Sequence, residues 1–178
     1  AFEMDNRVFS YGKLRASWAQ VGNDTDPYQL YGVFEAQTNA FGGVSQYYFN
    51  RALPNSELAP EITESIEVSI ELKFFENRLG LDLTYYDKVT SDQILPVDIA
   101  PSSGFTSRWI NAGEIQDQGV ELMLYGDIVK NQGGFNWSVN VNWSKNENTV
   151  NKLYGDLEAY QINSSWGEVT VEARPGEP

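Results

Sequence analysis

The sequence predicts an all-β, antiparallel up-and-down fold, a segment of a transmembrane β-barrel with short turns at one end and long loops at the other. Three observations carry that expectation: strict apolar/polar alternation, alternation of short and long connections, and aromatic residues at both ends of the alternating runs. The clearest run, Phe135 to Ser144, reads Phe-Asn-Trp-Ser-Val-Asn-Val-Asn-Trp-Ser. Successive strand side chains point to opposite faces, so Phe135, Trp137, Val139, Val141 and Trp143 share one surface and Asn136, Ser138, Asn140, Asn142 and Ser144 the other. A soluble sheet would bury the apolar face and a barrel would turn it to lipid, with the polar face toward a wet lumen. The run alone fits both.

The other strands follow in order. The first spans about Gly12 to Val21, with Leu14, Ala16 and Trp18 alternating with Arg15 and Ser17. The second, Ile62 to Phe74, sets Ile66, Val68, Ile70, Leu72 and Phe74 against Glu67, Ser69, Glu71 and Lys73, with Glu64 as its exception. After the turn Phe75-Glu76-Asn77-Arg78, the third, Leu79 to Lys88, sets Leu79, Leu81, Leu83 and Tyr85 against Gly80, Asp82, Thr84 and Tyr86. The fourth ends at Tyr125 with Val120, Leu122 and Leu124 on one side. Its polar beginning, Asn111 to Gln118, reads as an extension beyond an apolar zone or as a bulge. Phe135 to Ser144 is the fifth.

Strands two and three, and strands four and five, are joined by short turns, the second running from Gly126 to Gly134 around Gly133-Gly134. Strands one and two are separated by Gly22 to Glu61, and three and four by Thr90 to Ile110. Antiparallel succession puts both short turns at one end and both long loops at the other, the asymmetry of outer-membrane barrels. Long irregular loops are uncommon in compact soluble domains. Phe74, Phe75, Tyr125, Phe135 and Trp137 fall near the turn end and Tyr85, Tyr86 and Trp143 near the loop end, as two interfacial girdles would.

Composition bounds the function classes. A net charge of −13 opposes binding to nucleic acid, whose phosphates call for clustered Lys and Arg. With no Cys there is neither disulfide nor thiolate metal site, and with no His there is no imidazole base, triad or imidazole metal ligand. No window approaches the roughly 20 apolar residues of a membrane helix, which leaves barrel strands of about 10 residues untouched. The opening Ala-Phe-Glu-Met-Asp lacks an initiator Met and a signal peptide's basic and apolar regions, and reads as the interior of something longer.

Six segments resemble the SusC/RagA-type TonB-dependent outer-membrane transporters of Bacteroidetes, at an internal stretch of the barrel. They are Tyr11 to Asn23, Leu58-Ala-Pro-Glu-Ile-Thr-Glu-Ser65, Asn77 to Lys88, Asp92-Gln-Ile-Leu-Pro-Val97, Ile110-Asn-Ala-Gly-Glu-Ile-Gln-Asp-Gln-Gly-Val-Glu-Leu122, and Trp137 to Asn146 continuing to Lys152-Leu-Tyr154. Ser69 and Ala59 depart from it, standing where the family pattern leads one to expect Gly and a Lys-like residue. The resemblance implies that residues 1–178 are part of one barrel domain of 22 strands, of which five or six are present, without the plug or the TonB-binding segment. It further implies integral residence in the bacterial outer membrane and uptake of an oligosaccharide or oligopeptide. The implied partners are a SusD-like surface lipoprotein and TonB, reached through an N-terminal region outside this sequence. No enzymatic activity, cofactor or metal is implied. The competing reading is a secreted β-sandwich that binds carbohydrate.

On this reading Ile66, Val68, Ile70, Leu72, Leu81, Leu83, Val120, Leu122, Leu124, Trp137, Val139, Val141 and Trp143 face lipid, and Glu67, Glu71, Tyr86, Asn140 and Asn142 face the lumen. Sugars stack on aromatic faces and bond to Arg, so the ligand candidates are Phe41, Tyr47, Tyr48, Phe49, Arg51, Arg108, Trp109 and Trp166 in the long loops and tail. These residues would equally serve to pack the loops together or against a lid. The Asp-x-Asp of Asp24 and Asp26 lacks the rest of a calcium loop, and Glu57, Glu61 and Glu64 read as loop charges. The Asn-x-Ser/Thr sequons at Asn23, Asn136, Asn142 and Asn163 read as chance.

Overall fold

The computed structural model describes residues 8–38, 42–155, 157–165 and 169–177. In chain order the strands are β1 (Phe9–Asn23), β2 (Phe34–Ala36), β3 (Tyr47–Phe49), β4 (Ala52–Leu53), β5 (Glu61–Phe74), β6 (Leu79–Ser91), β7 (Ile94–Asp98), β8 (Ser107–Asn111), β9 (Gly113–Val129), β10 (Trp137–Leu153), β11 (Tyr160–Ser165) and β12 (Val169–Ala173). The five long strands form one antiparallel sheet in the order β1-β5-β6-β9-β10. Each lies beside its nearest long neighbour in sequence, the up-and-down arrangement expected. It is an open wall and does not close into a barrel.

The register aligns the predicted apolar residues into rows. Leu14, Ile70, Leu83, Leu122 and Trp143 form one row across the sheet. Gly12, Leu72, Leu81, Leu124 and Val141 lie on the turn side of it, and Ala16, Val68, Tyr85, Val120 and Lys145 on the loop side. The alternate rows are polar: Lys13, Glu71, Asp82, Met123 and Asn142; Arg15, Ser69, Thr84, Glu121 and Ser144; Ser17, Glu67, Tyr86, Gly119 and Asn146. From Phe74 to Ile66 the apolar rows extend about 27 Å along the strand, or about 20 Å once strands are tilted as in a barrel. Farther toward the loops the same face turns polar, with Gln20, Glu64, Val89, Gln116 and Thr149 in one row.

Among the described residues, none forms a second layer over either face. Among the described residues only Ile110, Ala112 and Val150 are buried apolar side chains, all near the loop end, whereas Leu14 is 71% exposed and Trp18 63%. The accessible surface is 13170 Å², while a compact soluble monomer of this mass would expose about 8,700 Å². A β-sandwich would bury one face of this sheet.

Several expectations are refined. The long strands reach farther toward the loops than the alternation showed, β10 to Leu153 and β6 to Ser91, because backbone pairing continues after the apolar pattern stops. The polar start of the fourth strand is an extension without a bulge against β6. The shift lies instead on the other side, between Val150 and Lys152 of β10. β9 also runs past Gly126 to Val129, so its turn is shorter than predicted. Tyr125, Tyr86 and Trp143 leave the girdles: cross-strand parity puts the tyrosines on the polar face, opposite Gly80 and Gly119, and the register puts Trp143 beside Leu122 in the Ile70 row, midway along the apolar band. The long connections are themselves ordered, β2 and β3 forming a hairpin and β4, β8 and β7 a three-stranded sheet.

Candidate ligand-binding surface

Two surfaces can meet a solute, the polar face of the wall and the paired loops above it. On the polar face Arg15 ties three strands together. Its Nε donates to Ser69 Oγ at 2.9 Å and Nη2 to Asp82 Oδ2 at 3.0 Å, with Glu71 at 4.0 Å. Ser69, 2% exposed, thus has a use for its hydroxyl where the family pattern suggested Gly. Lys73 pairs with Glu71 at 3.0 Å and lies over the Tyr11 ring. The predicted lumen residues Glu67, Glu71, Tyr86, Asn140 and Asn142 all belong to this face by register.

Sequence reasoning missed the pairing of tyrosine with glycine here. A Cβ on Gly80 would fall 1.9 Å from the Tyr125 ring, and one on Gly119 2.6 Å from the Tyr86 hydroxyl. The Tyr125 ring therefore occupies the space a side chain on Gly80 would fill, and the hydroxyl end of Tyr86 that on Gly119, the device that restores contact where a strand glycine has no side chain. The signal was visible only as Gly at two otherwise regular strand positions. Beside these rings, Asp82, Thr84, Glu121, Met123, Asn142 and Ser144 line a shallow 380 Å³ groove.

The loops gather some of the predicted ligand residues and separate others. Phe49 packs edge-on against Phe34 and Phe105, at 5.5 and 5.9 Å between ring centres. With Trp109, Tyr28, Glu35 and Asn50 it lines a 240 Å³ cavity. Trp109 also borders a second cavity of 270 Å³, with Asp24, Asp26 and Glu61. Tyr47 is exposed at 65%. The Tyr48 hydroxyl donates to Glu35 at 2.6 Å, and that bond, then the carboxylate's charge, holds its pKa above the ordinary phenol value. Arg51 contributes its carbonyl, which accepts from Thr106 N–H at 2.9 Å. Arg108 faces a third cavity of 500 Å³, with Tyr154 and Leu157. Phe41 and Trp166 lie outside the described residues. Tyr28 and Glu35 were not singled out from sequence, since a lone loop tyrosine or glutamate carries no pattern.

A family model described as TonB dependent receptor-like, beta-barrel, matches residues 7–169. TonB-dependent receptor P26 of Formosa agariphila is 32% identical over 156 residues, covering 86% of this chain and 16% of its own. TonB-dependent receptor P39 of the same organism is 33% identical over 147 residues, covering 79% of this chain and 13% of its own. The sequence thus spans less than a fifth of these relatives' length. Among solved structures, that of the RagAB peptide transporter superposes with a TM-score of 0.80 at 23% identity, over 98% of this chain and 19% of that one. The RagAB peptide importer in its open-open state gives 0.77 at the same identity.

Proposed function

Because the chain belongs to the TonB-dependent receptor-like β-barrel family, we propose that it is a five-stranded stretch of wall from an outer-membrane nutrient importer. The observation that supports this best is the single-layer sheet, polar on one face and apolar over about 20 Å on the other, close to the roughly 25 Å apolar band of such barrels. On this reading the Ile70 face meets lipid and the Glu71 face meets the lumen. The turns lie in the periplasm and the loops outside the cell. Transport needs no covalent chemistry, and on this reading the residues named above bind the solute and line its path.

The substrate class we propose is an oligosaccharide or oligopeptide, met first by the loop aromatics Tyr47, Phe49 and Trp109. A SusD-like lipoprotein would close over those loops, and TonB would supply the energy. The peptide transport named for the RagAB structures keeps oligopeptides in that choice. The face assignment is tested in the whole transporter by urea titration of the folded barrel in lipid vesicles. Ile70→Arg is expected to cost about 2–4 kcal/mol if Ile70 lies at the membrane midplane, and Asn142→Arg, in the Glu71 row of the other face beside Asp82 and Glu121, to escape that lipid cost. Equal tolerance of the two would remove the membrane reading.

A further inference from the structure

Four of the segments that resemble the family meet at one spot above the sheet. Asn23 closes the first, Ala59 and Glu61 stand in the next, Asp92 and Ile94 open another, and Asn111 stands near the start of a fourth. The Asn111 carboxamide pairs with Ala59 in both directions, Oδ1 accepting from its N–H at 2.9 Å and Nδ2 donating to its carbonyl at 2.8 Å. Nδ2 also donates to the carbonyl of Asp92 at 2.8 Å. Asp92 holds a positive φ of 57°, unusual for a residue with a side chain. Glu61 completes the join: Oε1 accepts from Ile94 N–H at 2.9 Å and Oε2 from Asn23 Nδ2 at 3.0 Å.

The Asn111–Ala59 pair links the loop of residues 24–60 to the loop of residues 92–112, and Glu61, where the first loop enters β5, ties Ile94 of the second loop to Asn23 at the end of β1. Among the described residues the only ladder pairing between these loops is the short parallel contact of β4 with β8. A side-chain amide that both donates and accepts reproduces the hydrogen bonding of a further strand position. We propose that Asn111 and Glu61 form a clasp that makes the two long loops one rigid unit, and that they are positioning residues for ligand capture. Through that unit they fix Trp109, two residues from Asn111, whose carbonyl is itself held by Asn55 Nδ2 at 3.1 Å. The capture role rests on the importer reading above; the clasp does not.

The test uses two isosteric changes in the whole transporter, Asn111→Asp and Glu61→Gln. The first loses both donations and turns a carboxylate toward two carbonyls; the second places an NH₂ against a donor. Packing alone would tolerate both. Spin labels on Ser45→Cys and Ser102→Cys, one in each loop of a stretch with no Cys, in a whole transporter with any other Cys replaced by Ser, report the distance between loops. A narrow distribution that broadens in both variants supports the clasp, and one unchanged by either overturns it. Half-saturation by a fluorescein-tagged pool of tryptic oligopeptides, and by a tagged oligosaccharide pool, reads the capture role. It is expected to rise about tenfold for the pool that binds, the scale of a lost hydrogen bond, with the plateau kept. Broadened distances with unchanged half-saturation would overturn that role. If the unaltered transporter binds neither pool, the importer reading fails, and the distances still decide the clasp. Should Asn111→Asp fail to fold, Asn55→Asp, which keeps the Oδ1 that accepts from Glu57 N–H and loses the donation to the Trp109 carbonyl, is expected to broaden the same distribution.

Discussion

Gly119 shows how one residue on a barrel wall can be fixed by its cross-strand neighbours. A methyl group there would meet not only the Tyr86 hydroxyl but the Lys145 carbonyl, at 2.7 Å. The ring can swing aside, whereas the carbonyl is held where β10 pairs with β9. Gly119→Ala is therefore expected to destabilise the folded barrel by about 1–3 kcal/mol, the usual range for overpacking. Gly80→Ala, whose three nearest atoms all belong to the Tyr125 ring, should cost less. Heat-modifiable migration of the whole transporter on gels, scanned with temperature, checks the order; a larger loss at Gly80 would contradict it. Arg15 illustrates the opposite case. Its contacts were not legible from sequence because Ser69 and Asp82 lie 54 and 67 residues away.

At the scale of the strand, alternation specifies which residues share a face but not how far along the strand an environment persists. β10 makes the point, since the odd positions Val139, Val141 and Trp143 are followed on the same face by Lys145, Glu147 and Thr149. Pairing with β9 continues throughout, so the strand does not end where its apolar residues do. If the apolar rows mark the hydrocarbon layer, tolerance to charge should depend on height. Val141→Arg, one row from Ile70, is expected to lose about 2–4 kcal/mol if the Ile70 row lies near the midplane, and Thr149→Arg, higher on the same face, no more than about 1. Urea titration in vesicles measures both, and equal losses would put the membrane boundary elsewhere. The turns obey another constraint: Phe75, Glu76 and Asn77 all have positive φ, and Arg78 N–H donates back to the Phe75 carbonyl at 3.1 Å. Only Asn77 announced such a bend in the sequence.

For the molecule as a whole, the decisive property is that the sheet has two ends. Among the described residues β1 and β10 each have one long neighbour, and Gly176 and Glu177 bond to β10 at Val150. Lipid supplies no hydrogen bonds to a strand edge, so a wall of five strands needs further strands beside it to stand in a bilayer. The 178-residue chain produced alone is expected not to yield a protease-resistant, heat-modifiable monomer in lipid vesicles, while the whole protein should. A stable monomer from this stretch alone would mean that the edges are closed in a way the sheet does not suggest.

The sequence by itself determined the class of fold and the two faces of the wall, because period-two alternation and loop length are local properties that survive without knowing any partner. It also marked the segments that meet at the clasp, through their resemblance to a family, without saying that they meet. Only the tertiary structure decided the register, and with it the tyrosine–glycine pairs, the Arg15 cluster and the junction of Asn111 and Glu61 with the loops. Each of those joins residues far apart in the chain by side-chain reach and backbone direction, which no local pattern encodes.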